Sequence, residues 1–455
     1  MAYSPEATIN NDSNTSTQHF SENSMPSKPH HAIPPFSASF TDKNMAAARK
    51  IYLKVLVGGS FMLVIAMFSI FSIYWGALWK SPAHNLQGWV VDFDQSTIGT
   101  SVVQALVASS SSSKITWKEM PASEFTGGPS EVAGRVAEEK AWVAVVVNAN
   151  ATSRLNAATA SADSSYNGTS AITVYASEAR NENAFRSIIR PIVQGILATI
   201  GENFAIQFAK QLSSSSNLST LLSNAPQIIT QPVSYTLDNL HPFNVPVATA
   251  ITFVGLIYLL ILSFFIVNVS LSARQVSGLE QHLSTGALIR LRLISTILAY
   301  FFISLFYSLL SKAFQVDFSR KFGEGGFVVF WMLNWVGMLA VGLALESMIT
   351  ILTIRGVPFF MILWIIVNVS VCALPIDVLP RIYHYGYAMP FYNVSRAIRT
   401  ILFDTKNTVG LNFGILLAWV AISMITLPLF QWFMRRRNIT ELNHAFETDK
   451  EVADD

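Results

Sequence analysis

Six long stretches of this chain carry no charged side chain at all. They run from Val55 to Trp79, Phe243 to Ala273, Leu293 to Ser311, Phe327 to Leu345, Gly356 to Ile376 and Asn407 to Met434. Each holds roughly 19 residues or more, and a helix needs about 20 to cross the hydrocarbon core of a bilayer. Lipid offers no water to unpaired backbone amides, so such runs are expected as helices. One buried core helix of a soluble protein could imitate one run, but not six. The composition agrees: 51% of residues are hydrophobic, only 13% are charged, and the mean hydropathy is +0.41. The lipid bilayer is therefore the first expected partner. A net charge of +2 gives nucleic-acid binding no electrostatic support. The single cysteine, Cys372, permits no intrachain disulfide.

The expected fold class is an α-helical multi-pass membrane protein of about six transmembrane helices, with an α/β extracytoplasmic domain inserted between helices one and two. Residues 1–50, rich in Ser, Asn, His and Pro, read as a disordered cytoplasmic tail. Residues 51–79 form the first span, 80–242 the extracytoplasmic domain, 243–434 spans two to six, and 435–455 a cytoplasmic tail. Arg49, Lys50 and Lys54 precede the first span, Arg274, Arg290 and Arg292 lie between the second and third, and Arg435 to Arg437 close the sixth. These charges place both termini in the cytoplasm. Within the inserted domain, Gly88 to Asp94, Lys114 to Met120, Ala141 to Val147 and Ala171 to Ala176 read as strands. Ser101 to Ser109 and Glu182 to Leu222 read as helical. Four sequons fall outside in this topology, at Asn150, Asn167, Asn217 and Asn393, and mark a possible glycoprotein.

No phosphate-binding loop, metal-ligand spacing or nucleophile elbow is present, so the chain is expected to be neither an enzyme nor the holder of a cofactor or metal. Polar residues within the spans are the remaining candidates for a substrate pathway, because each is costly in hydrocarbon. Glu346 either serves such a pathway or simply pairs with Arg355. Asn268, Asn334 and Asn368 either line a cavity or join helices. Near 389–403, Pro390 opens a helix in which Phe391, Val394, Ile398, Ile401 and Leu402 share one face, opposite Asn393, Arg396, Arg399 and Thr400. With Tyr392 and the tyrosines before it, this reads as an amphipathic helix at the outer interface, or as one packed on the external domain.

The order of one span, a domain, five spans and an outer amphipathic helix resembles the membrane half of type-two ABC exporters. Tyr385 to Asn393, Arg399 to Phe403, Leu411 to Gly414, Trp89 to Asp94 and Ala141 to Val145 are similar to the fungal nitrosoguanidine-resistance membrane proteins. That resemblance implies drug resistance through export of a small toxic compound, from the plasma membrane. It also implies a separate ATPase subunit or a homo-oligomer as partner. The alternative is a non-transporting organiser or receptor whose external domain binds a partner or lipid.

Overall fold

A computed structural model describes residues 38–454, with side chains as far as Glu441. Most of the expected N-terminal tail therefore lies outside the described residues. Among those residues, five helices are long and apolar enough to cross a bilayer: Lys43–Leu78, Ala250–Val276, Thr285–Ala313, Ser319–Val369 and Val409–Glu441. The chain is a multi-pass membrane protein. Residues up to Val64 fall in one compact unit, and Ile65–Asp455 form another. In the first unit the helix starting at Ala46 has no buried residue, and apolar side chains such as Ile51 and Phe61 are exposed all round it. A helix that is apolar and uncovered on every side is solvated by lipid.

The fourth long helix differs from the sequence expectation of two separate spans. Ser319–Val369 is 51 residues, roughly 76 Å at 1.5 Å per residue, more than twice the hydrocarbon thickness. It is two helices joined at a break. Thr353 has φ 59° and ψ 178°, a region that is almost exclusive to glycine. The break falls between the fourth and fifth uncharged runs, but helical geometry resumes at once on each side. Thr353→Gly is expected to stabilise the protein by about 1 kcal/mol, the relieved backbone strain less the extra chain entropy that glycine loses. Thermal unfolding in detergent checks this, and a lowered midpoint would mean that the threonine side chain itself holds the break.

Residues between the first two long helices contribute a five-stranded sheet in the order β2-β1-β3-β4-β5. Its strands are β1 (Leu86–Asp92), β2 (Ile115–Met120), β3 (Val143–Val147), β4 (Ile172–Ala176) and β5 (Tyr235–Asn239). The β3–β4 pair is antiparallel, with Val143 opposite Ala176, and the other pairs are parallel. β3 is central and buried along its whole length, which is why Val143 to Val147 reads as an unbroken apolar run. Alternation divides its side chains between two cores. Val143, Val145 and Val147 pack with the helices Thr97–Ser109, Ala151–Ser161 and Arg190–Leu212. Ala144 and Val146 face Trp89, Phe125 and the short helix Pro129–Ala137. Pro191 follows directly on the π-helical turn Phe185–Ile189, where the irregular turn accommodates its missing N–H within a helical run that begins at Glu182. β5 was not foreseen from the sequence.

The bundle packs through small residues. A Cβ added at Gly342 would collide with the Tyr300 ring, so Thr285–Ala313 approaches the broken helix most closely here. The Tyr300 hydroxyl then donates to the Ser263 carbonyl at 3.0 Å. Pro390–Phe403 ends in an αL residue, Asp404, and twelve of its fourteen residues are buried. It does not lie at the membrane surface as an amphipathic helix would. Its apolar face joins the bundle core, and its polar face is covered by loops that leave the sheet.

Candidate functional site

The polar face of Pro390–Phe403 meets two short segments of the sheet region, around Glu139 and from Glu178 to Glu182. Arg396 grips Glu139 through two hydrogen bonds of 2.8 Å each. One turn on, Arg399 donates to Glu182 Oε2 at 2.5 Å and to the Ala179 carbonyl at 3.0 Å. Arg399 and Glu182 are only 4% and 5% exposed, so their mutual pairing is what makes the burial of either tolerable. Arg180 lies 3.4 Å from the centre of the Trp142 ring and donates to the Ala141 carbonyl at 3.0 Å. Glu139 and Asp377 each stand 3.8 Å from it. Asp377 accepts from Trp142 Nε1 at 3.2 Å and from the Tyr387 hydroxyl at 3.0 Å.

These residues wall a cavity of about 220 Å³, which Tyr392, Cys372 and Ile376 also line. Its charges are two carboxylates, Glu139 and Asp377, and three guanidiniums, with Arg399 turned to Glu182 outside the lining. The rings of Trp142, Tyr387 and Tyr392 share the wall with polar groups such as Asn181 and Ser395. Burial pushes the Arg180 guanidinium down to about 10, against the pull of Glu139 and Asp377, so it stays charged at neutral pH. Burial also pushes the Cys372 thiol up to about 12, leaving it protonated.

Burial alone would raise Glu139, but the hydrogen bonds and charge of Arg396, with Arg180 and Lys406 behind them, hold it below its ordinary 4.5. A carboxylate whose folded value is depressed contributes stability above its unfolded value and loses that contribution as pH falls through the folded one. Acidification below about pH 4.5 is therefore expected to loosen this junction. Glu139→Gln should be less stable at neutral pH and flatter in the acid range, and parallel profiles for the two proteins would remove Glu139 as the cause.

The remaining sequence-derived candidates are distributed as follows. Glu346 is fully buried and does not pair with Arg355, which is exposed. Its Oε1 accepts from Arg292 Nε at 2.7 Å and lies 3.1 Å from Arg274 Nη2. Arg274 and Arg292 read as loop charges in the sequence, yet they are 5% and 3% exposed. Arg292 also donates to Gln431 Oε1, Thr350 Oγ1 and the Glu346 carbonyl, closing a network among three helices. Asn334 donates to Ser308 Oγ at 3.0 Å, and Asn268 to the Phe264 carbonyl of its own helix. Asn368 Oδ1 caps the backbone N–H of Phe391 beside Pro390. These asparagines join helices or cap backbone, and the structure does not gather them into one path. Tyr383 and Tyr385 donate to the Ile73 and Val367 carbonyls and so brace helices.

Of the four sequons, Asn393 is 1% exposed. It donates to the Tyr387 and Met389 carbonyls and accepts from Asn412, so no glycan fits there in the folded chain. Asn150 and Asn167 are exposed, and Asn217 is half-buried with its amide bound to the Thr159 carbonyl. Sequence reasoning found Arg396 and Arg399 but missed Glu139, Glu182, Arg180, Trp142 and Asp377. The one local signal was the doublet of arginines one turn apart on a helix too apolar to be a simple surface element.

An uncharacterized endoplasmic reticulum membrane protein of Saccharomyces cerevisiae is 28% identical over 439 residues, covering 89% of this chain and 85% of that protein. No solved structure matches the chain. A family model described as "Protein of unknown function (DUF3533)" matches residues 60–425. That match spans most of both the sheet region and the bundle, and on it the chain belongs to the DUF3533 family.

Proposed function

We propose that this chain is a non-enzymatic, permease-like protein that carries a small uncharged toxic compound, of the nitrosoguanidine kind, across its membrane. The observation that supports this reading is the junction cavity. It lies where the sheet region meets the ends of the long helices, its charged groups are paired, and three aromatic rings, Trp142, Tyr387 and Tyr392, stand in its lining. Such a wall favours a neutral, planar molecule over an ion. The apolar interior of the bundle would oppose the passage of an ion in the same way.

The broken helix then makes two crossings, giving six in all, and the sheet becomes an extracytoplasmic domain with both termini in the cytoplasm. The yeast relative is named for the endoplasmic reticulum membrane. We place this chain there rather than in the plasma membrane, with the sheet in the lumen. A separate ATPase subunit would supply the drive that the type-two exporter resemblance calls for, and a second copy would be the alternative partner.

Uptake of labelled nitrosoguanidine into sealed endoplasmic reticulum vesicles from cells with and without the gene tests the reading. Greater uptake with the gene, reversed by Tyr392→Ala at unchanged protein abundance, is the expected result. Equal uptake would falsify transport. The receptor alternative draws on one separate observation, an open cavity of about 790 Å³ on the sheet's other face, beside Trp89, Met120 and Arg135. Resistance that persists when this face is altered by Met120→Glu would leave that alternative without support.

A further inference from the structure

At the end of the bundle remote from the sheet, the charges are not all matched. Arg274 closes the helix that begins near Ala250, a full span away from the junction. It is 5% exposed, and one guanidinium nitrogen serves Glu346, but Nε and Nη1 have no partner among the described residues. Glu280 follows in the next loop, after the αL turn at Gly278. Its Oε2 is buried and equally without a partner, and so is Oε2 of Glu346. Arg274 and Glu280 line one cavity of about 420 Å³, yet they are not an ion pair. Arg274 is ion-paired through one nitrogen only, and buried donors left without acceptors are costly unless something satisfies them.

The missing group has to offer hydrogen-bond acceptors to Arg274 and a donor to Glu280, across a gap that keeps those two apart. It also has to suit a mixed wall, in which Leu271, Ile349, Ile354 and Met434 stand beside polar residues such as Gln275, Thr350 and Asn438 at the end of the long helices, with Ile354 exposed. Headgroups lie at this depth in a bilayer.

We propose that this cavity binds the phosphodiester of a membrane phospholipid whose headgroup carries a primary amine, with the phosphate on Arg274 and the ammonium toward Glu280. Nε and Nη1 lie on separate edges of the guanidinium, so a phosphate oxygen pair takes Nη1 together with the second N–H of Nη2, whose first serves Glu346. Glu280 disfavours a bare anion and rewards a zwitterion, and a primary ammonium can hydrogen-bond to it where a trimethylated one cannot. The assignment does not depend on the permease reading, since it uses none of the junction residues.

The test uses the full chain, purified in detergent and stripped of lipid, with the unfolding midpoint followed by tryptophan fluorescence. The probes are dihexanoyl phosphatidylethanolamine, dihexanoyl phosphatidylcholine and inorganic phosphate. Saturable stabilisation by the ethanolamine lipid is expected, at an apparent affinity about tenfold better than for the choline lipid, with inorganic phosphate weaker still. Arg274→Gln should abolish all three responses. If that variant fails to fold, Glu280→Gln decides, because Glu280 is outside every ion pair among the described residues and its side chain is only partly buried. It should fold normally and lose the preference for ethanolamine over choline. A response to inorganic phosphate equal to that of the lipid would reduce the cavity to a free-anion site. No response to any probe, or a preference that survives Glu280→Gln, overturns the proposal.

Discussion

Glu346→Ala is expected to remove most of the folded protein. Among the described residues its carboxylate is the only acidic partner of both Arg274 and Arg292, through a single oxygen, and it is completely buried. Deleting it leaves two guanidiniums in a medium that cannot solvate them. Breaking a buried pair by removing one partner costs about 3–5 kcal/mol, against a total stability of about 5–15 kcal/mol for a folded chain. Glu346→Gln should be milder, because an amide oxygen can still accept from Arg292 Nε while the charge is lost. Replacing the whole set, with Glu346→Leu, Arg274→Met and Arg292→Met together, should recover much of the lost stability, since well-packed apolar residues often serve as well as a buried ion cluster. Fluorescence-detected gel filtration and the unfolding midpoint in detergent read all three. An unaltered midpoint in Glu346→Ala would show that the arginines find other acceptors, and the network would then carry little energy.

What the sequence made legible was whatever one segment could state alone. Uncharged runs of sufficient length located the long helices, because lipid penalises every unpaired amide and charge along the same stretch. Four strands were readable from β-branched runs and alternation. β5 was not, because Tyr235–Asn239 is a half-exposed edge strand ending in Asp-Asn, and only its pairing with β4 makes it a strand. The ion networks were illegible for another reason. Arg399 and Glu182 are 217 residues apart, and Arg292 and Glu346 are 54 apart, so neither sequence environment names its partner. The same blindness left two readings of the helix Pro390–Phe403 open, one at the outer interface and one packed on the external domain. Its apolar face was read correctly, but a row of Asn, Arg and Thr opposite an apolar face looks identical whether water or another protein surface covers it. Only the burial of Asn393, Arg399 and Thr400 distinguishes the two.

Arg399→Ala is expected to unfasten the sheet region from the bundle while leaving each internally folded. Arg399 is the buried arginine on the polar face of Pro390–Phe403, and its fork reaches Glu182, the Ala179 carbonyl and Ser395 at once. Truncation strands the buried Glu182 carboxylate, again a loss of about 3–5 kcal/mol, but one confined to the contact. The cores that contain β3 and Tyr300 are separate apolar clusters and do not include this pair. Hydrogen exchange should therefore speed up sharply at residues 178–186 and 390–403 and stay slow in β3. Arg399→Lys keeps the charge but not the planar fork, so it should restore Glu182 and lose the Ala179 contact, giving an intermediate rate. Global loosening in Arg399→Ala, with β3 exchanging as fast as the junction, would mean that the sheet cannot stand without the bundle. Full protection in Arg399→Lys would mean that charge alone fastens the two, with the geometry of the fork irrelevant.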